Sequence, residues 1–219
     1  MLARLTFIAA MAVAPMAVAQ DAPARAGAEQ IAASRALADQ LIADGDAAGI
    51  FINSTKDDGV ARVTHVASGM TCTFDGGPED RVYIFPQGPG GIPRGEDVGC
   101  VSRDDALKID LTLYATHYRP LPDATEVLAI ARQGIMARWP DALPYTGSLP
   151  ATTVEGRAPT RIAAYKIRMD DAEMLTMALV THRDGWGFKA RATGPYGDAT
   201  GVALYTGLML ESSLLRRED

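Results

Sequence analysis

Three histidines, His65, His117 and His182, are the only imidazoles in the chain and the first residues to test for chemistry. No two of them stand at metal-ligand spacing, and there is no His-Glu-x-x-His pattern. Neither a metal nor a cofactor is therefore indicated. His65 precedes Ser68 in His-Val-Ala-Ser-Gly, which puts a hydroxyl within local reach of an imidazole, the pairing needed for a serine nucleophile and its base. Such a serine ordinarily sits on a Gly-x-Ser-x-Gly elbow between a strand and a helix. Ser68-Gly69 reads instead as a turn between two strands. His117 runs in phase with Ala115 on the apolar face of its strand, where a satisfied or rim histidine belongs.

Paired carboxylates at Asp57-Asp58, Asp104-Asp105 and Asp170-Asp171 fall in turn positions, which favour Asp for backbone reasons. Nothing marks any of them as an acid/base pair, and none matches an EF-hand loop. Residues 86–96 hold Gly88, Gly90, Gly91 and Gly95 with Pro86, Pro89 and Pro93 between them. That composition lacks the Gly-Lys-Ser/Thr ending of a phosphate loop. It predicts a long irregular loop, and recognition surfaces favour loops held on rigid scaffolds. In two C-terminal strands, cations alternate with apolar residues: Lys166 and Arg168 against Tyr165, Ile167 and Met169, and Lys189 and Arg191 against Trp186, Phe188, Ala190 and Ala192. If the polar sides coincide, these four cations form an anion or partner surface on an otherwise acidic protein. The alternative is an ordinary solvated sheet face.

These residues need elements to hold them. Residues 29–43 carry helical periodicity, with Ile31, Ala38, Leu41 and Ile42 on one side. From 50 to 119 the pattern is strand-like: short runs at 50–53, 62–66, 70–74, 82–85 and 97–102, then the longest at 108–118, with Ile109, Leu111, Leu113 and Ala115 alternating against Asp110, Thr112, Tyr114 and Thr116. Asp123 and Glu126 have the spacing of a helix capping pair, for a helix ending near Arg138. A Pro/Gly/Thr-rich connection with room for an edge strand spans 140–160. Three strands follow at 161–169, 174–182 and 186–193, joined by Asp170-Asp171 and Asp184-Gly185, both hairpin chemistry. Asp198 caps a final helix whose inner stripe reads as Val202, Tyr205, Leu208, Met209 and Ser212, with Arg216 and Arg217 at its end. Hairpins dominate, and no strand–helix–strand series carries a glycine fingerprint. The expectation is α+β: one domain with a mainly antiparallel sheet flanked by helices.

Compartment is read from the start of the chain. Arg4 precedes the apolar run Leu5–Val13, Pro15 breaks it, and Ala17-Val18-Ala19 supplies a small-x-small cleavage pattern. The run is well short of the roughly 20 residues a bilayer span needs. Residues 1–19 thus read as a cleavable signal with Gln20 as the new N-terminus, residues 20–28 as a flexible leader, and 29–219 as the domain. No transmembrane segment is expected once the signal is cleaved. Cys72 and Cys100 are the only cysteines. In an oxidising compartment an isolated pair forms a disulfide; the pair is not Cys-x-x-Cys, so a thioredoxin-like role has little support. The formal charge of −6 argues against nucleic-acid binding, which needs a basic surface. Plentiful alanine, glycine and arginine with scarce lysine suggest a GC-rich bacterial genome, hence a periplasmic or secreted protein.

Three segments carry a likeness: His65-Val-Ala-Ser-Gly-Met-Thr-Cys-Thr-Phe, Gly95-Glu-Asp-Val-Gly-Cys100 and Leu111-Thr-Leu-Tyr-Ala115. Together, over about residues 50–120, they resemble a set of exported, uncharacterised alphaproteobacterial proteins; the resemblance implies no activity. The C-terminal half is similar in element order to the PsbP-like fold, which implies a central antiparallel sheet with flanking helices. The functional expectation is a non-enzymatic binding or envelope-accessory protein with a protein or small-molecule partner in the envelope. The alternative is a hydrolase whose site assembles only in three dimensions, from His65, Ser68 or His117.

Overall fold

The computed structural model describes residues 26–85, 92–150 and 159–215. Residues 1–19, read above as a signal, most of residues 20–28, read as a leader, and Arg216 and Arg217 lie outside them.

The first half of the chain is a helix followed by short strands. Helix α1 (Ala28–Asp44) buries Ala38 and Leu41, as its periodicity predicts. Strands β1 (Phe51–Asn53), β2 (Ala61–His65) and β3 (Thr71–Phe74) follow, then β4 (Arg81–Ile84), β5 (Asp97–Asp104) and β6 (Ile109–His117). The second half adds α2 (Ala124–Arg138), the two-residue edge strand β7 (Leu143–Pro144), β8 (Arg161–Met169), β9 (Ala172–Arg183), β10 (Trp186–Pro195), a single 3-10 turn, and α3 (Ala199–Ser213).

Two antiparallel sheets result. One is small, in the order β1-β2-β3; the other has seven strands in the order β4-β5-β6-β10-β9-β8-β7. This is the expected α+β architecture. Local chemistry fixes the hairpins. Asp170 and Asp171 adopt φ of 45° and 66°, and Asp184 and Gly185 adopt 51° and 81°. These left-handed pairs are what tight turns between right-twisted strands require, and Asp and Gly tolerate them. Strand β9 runs past its predicted ends to meet both turns. At α2, the Asp123 side chain accepts from Thr125 N–H and Glu126 reaches back to the Asp123 N–H, closing the capping box.

The large sheet separates two apolar layers. On one side Leu175, Met177, Leu179, Phe188, Leu111 and Leu113 join α1, α3 and the small sheet in the main core. Each such buried side chain contributes about 1.5–3 kcal/mol. On the other side α2 lays Val127, Leu128, Ala131 and Ile135 over Tyr165, Ile167, Ala178 and Val180. The Cys72–Cys100 disulfide, with Cα atoms 6.4 Å apart, ties β3 of the small sheet to β5 of the large one.

Helix α3 corrects one expectation. It buries Ala199, Val202, Ala203, Thr206, Gly207, Leu210 and Ser213. Leu208 is 62 % exposed, Ser212 is exposed, and Tyr205 and Met209 are only half-buried. The helix is apolar on nearly every side, so periodicity alone does not pick the inner face. The buried side carries the small residues Ala203 and Gly207, and the helix comes close enough to the sheet that a Cβ at Gly194 would meet Val202 at 2.7 Å.

Candidate functional site

His65 is the most enclosed of the three histidines, at 1 % exposure. Its Nε2 lies 2.9 Å from the Gly95 carbonyl oxygen, which can only accept, so Nε2 carries the proton. Nδ1 then accepts from the Ser68 hydroxyl at 2.8 Å, and that same hydroxyl accepts from Met70 N–H at 3.2 Å. Phe51 and Trp186 enclose the ring, with centroids 5.2 and 5.3 Å away. Burial drives the His65 pKa down to about 4, against the smaller opposing effect of the Gly95 bond. The connectivity is that of a hydroxyl, a base and an orienting carbonyl. The base, however, is weak and enclosed, and the hydroxyl also closes the tight turn between β2 and β3.

His117 and His182 point to opposite faces of the large sheet. His117 shares the core face with Ala115, as its phase predicts, and stacks on Trp186 at 4.9 Å. Its Nδ1 is 3.4 Å from Glu96, and Arg119 reaches the other oxygen of the same carboxylate at 2.5 Å. His182 lies on the α2 face, where burial lowers its pKa against the pull of Asp123. The three imidazoles thus never converge on one cleft. Among the described residues no group of three His, Cys, Asp or Glu could hold a metal ion.

The carboxylate pairs serve turns and ion pairs. Asp57 pairs with Arg35, Asp58 accepts from Val60 N–H, and Asp104 accepts from Leu107 N–H. Asp105 pairs with Arg103 and Asp171 with Arg168. Of the glycine- and proline-rich segment, residues 86–91 lie outside the described residues. Its described end is anchored: Arg94 pairs with Asp46, Gly95 O accepts from His65, and Glu96 holds Arg119.

The four C-terminal cations divide into two pairs. Lys166 stands opposite Leu175 on the core-facing side, while Arg191 stands opposite Ala178 on the α2 side. Directly paired residues point the same way, so Lys166 and Arg168 occupy one face and Lys189 and Arg191 the other. The expected single surface of four cations does not form. Its premise was that the polar sides coincide. The hairpin register instead puts the polar side of β8 on the face that is apolar in β10. Lys166 pairs with Glu173 at 2.5 Å, and Arg168 with Asp171.

Lys189 and Arg191 lie where α2 stops covering the sheet. Beyond β9, no helix among the described residues packs on this face over β5 and β6. What lies there is a groove of about 400 Å³. Arg81, Arg103, Arg138, Arg191, Tyr114 and Trp139 line it, with the carboxylates of Glu79 and Asp110. Lys189 borders it, with Nζ 4.2 Å from the Tyr114 ring centroid. Burial, and secondarily the neighbouring Arg191, lower the Lys189 pKa to about 8, against the pull of Asp97. Tyr114 continues into a stacked row with Phe85 and Tyr83, at 5.6 and 6.0 Å. Gly99 makes that row possible: a Cβ there would meet the Phe85 ring at 3.3 Å and the Leu113 carbonyl at 2.8 Å.

Sequence reading named Lys189 and Arg191 but missed Arg81, Arg103, Arg138 and Trp139. Alternation in β4 and β5 contained a signal, since Arg81 pairs with Val101 and Arg103 with Asp110, all on this face. Arg138 and Trp139 carried none, because their place depends on how α2 crosses the sheet.

The fold and groove define an α+β protein with a half-covered sheet and a cation-lined open face. No family model matches the chain, and no curated protein matches it either. Among solved structures, that of LpqN, involved in cell envelope biogenesis of Mycobacterium tuberculosis, is similar over 64% of this chain and 85% of its own. The identity is 15% and the TM-score 0.33, a likeness too distant to define a shared fold.

Proposed function

We propose that this chain acts outside the cytoplasm as a non-enzymatic binding or envelope-accessory protein, and that the open half of the large sheet is its recognition surface. The observation that carries this reading is the groove: four guanidinium groups gather on one uncovered face of a chain whose formal charge is −6. Scattered cations on an acidic protein are unremarkable; cations concentrated over a sheet with an aromatic row beside them resemble a binding surface. An extracytoplasmic location is supported by the signal-like residues 1–19 and by the disulfide, which persists in oxidising compartments. No described helix is long and apolar enough to cross a membrane.

The test is native purification of the mature protein from its own envelope fraction, followed by intact-mass and bound-partner analysis. A stoichiometric ligand or partner that is lost from an Arg191→Glu/Lys189→Glu protein is the expected result. Protein recovered bare under gentle conditions, with no retained species, would sink the reading.

One contact favours the hydrolase alternative, the 2.8 Å bond between Ser68 and His65. A base with its pKa near 4 draws a proton from serine poorly at neutral pH. A fluorophosphonate probe separates the readings: labelling at Ser68 would revive the hydrolase, and no labelling is expected.

A further inference from the structure

Arg81 pairs with Glu79, and Arg103 with both Asp105 and Asp110. Arg138 and Arg191 have no carboxylate partner among the described residues. Arg138 lies over the Trp139 ring at 4.6 Å. Arg191 donates from Nη2 to the Ala131 carbonyl at 3.3 Å, and its Nε is buried with no hydrogen-bond partner. A buried, unsatisfied charged donor is costly, so a guanidinium kept in that state at the edge of a groove is poised to be completed by an acceptor.

The helix above it makes room. Gly134 sits in the middle of α2, where glycine costs about 1 kcal/mol against alanine. A Cβ at this position would stand 2.8 Å from Arg191 Nη2. The helix thus carries a residue unfavourable to itself at the point where the Arg191 side chain passes beneath it. A second groove, of about 360 Å³, runs along the other side of the α2 C-terminus. Its cations Lys166 and Arg168 are already paired with Glu173 and Asp171; it shares Arg138 with the first groove but not Arg191 with its unsatisfied Nε.

We infer that the groove holds a small molecule bearing a phosphate or carboxylate group, with Arg138 and Arg191 grasping the oxyanion and Thr112 and Thr193 lining its floor. This rests on the binding role proposed above and deepens it. Guanidinium forks match the oxygens of carboxylate and phosphate in a way that an ammonium does not. The volume of about 400 Å³ suits a small ligand. The Tyr114 ring at the groove wall offers a face for an apolar or planar body.

The experiment follows the arginine Nε–H signals by NMR in the full mature protein while inorganic phosphate, and separately citrate, is added. Saturable shifts at Arg191 and Arg138, absent at the surface residue Arg35, are expected with at least one probe; which probe saturates tells phosphate from carboxylate chemistry. Arg191→Gln should weaken binding roughly tenfold or more, as loss of a charge-assisted hydrogen bond implies. Gly134→Ala guards against simple misfolding. It should leave thermal stability equal or higher and still weaken binding, because it displaces the guanidinium. Small uniform drifts at all arginines, or saturation unaffected by both substitutions, would overturn the assignment. So would a native ligand retained undiminished by the Arg191→Gln protein, an outcome that leaves the general binding role standing.

Discussion

His65, a residue type suited to catalysis, ties two segments of this fold together. Its ring joins the turn between β2 and β3, through Ser68, to the Gly95 backbone, and burial holds its pKa at about 4. The unfolded chain takes up a proton at this histidine near pH 6.5, whereas the folded chain resists until about pH 4. Stability from this residue is therefore complete above pH 6.5 and is lost as pH falls toward 4, by at most about 3 kcal/mol. Asp80 and Asp97, whose carboxyls burial pushes up, act in the opposite direction, so the comparison must be between proteins. Urea unfolding at pH 7.5 and 4.5 should show a smaller pH effect in His65→Gln than in the unaltered chain. Equal pH effects in the two would show that His65 is not the sensitive group. Sequence placed His65 beside Ser68 correctly. The enclosure that lowers its pKa includes Phe51 and Trp186, remote in sequence from each other.

At the scale of elements, alternation and turn chemistry were legible and relative facing was not. The strands of the large sheet were readable because Asp170-Asp171 and Asp184-Gly185 demand left-handed turns. That Lys166 and Arg191 land on opposite faces is decided by hairpin register, to which single-strand periodicity is blind. The disulfide is an element-level staple, since Cys72 and Cys100 are 28 residues apart and belong to different sheets. Closing such a loop is worth about 3–4 kcal/mol in the chain-entropy model. A Cys72→Ala/Cys100→Ala protein should melt at clearly lower temperature, with amide exchange rising first in β1–β3 and last in β6, β9 and β10. Unchanged melting, or uniform exchange, would count against a staple holding the small sheet in place.

For the whole molecule, two predictions concern location and charge. Protein isolated from the envelope should begin at Gln20 and carry one disulfide by intact mass; a retained Met1 would exclude cleavage at this signal. Ligand retention in the groove should weaken as salt rises, because its cations are partly solvent-facing; salt-independent retention would point to the aromatic row instead. The sequence by itself determined the α+β class, the capping box at Asp123, the hairpins, the cysteine pairing and the absence of local metal-ligand motifs. All of these follow from short-range spacing or from having only two cysteines to join. Tertiary structure alone decided which cations share a face, which side of α3 is buried, and that Arg138 meets Arg191 at one groove. Those outcomes depend on the register in which strands pair and on how helices pack on a sheet, and the periodicity of a single strand or helix contains neither.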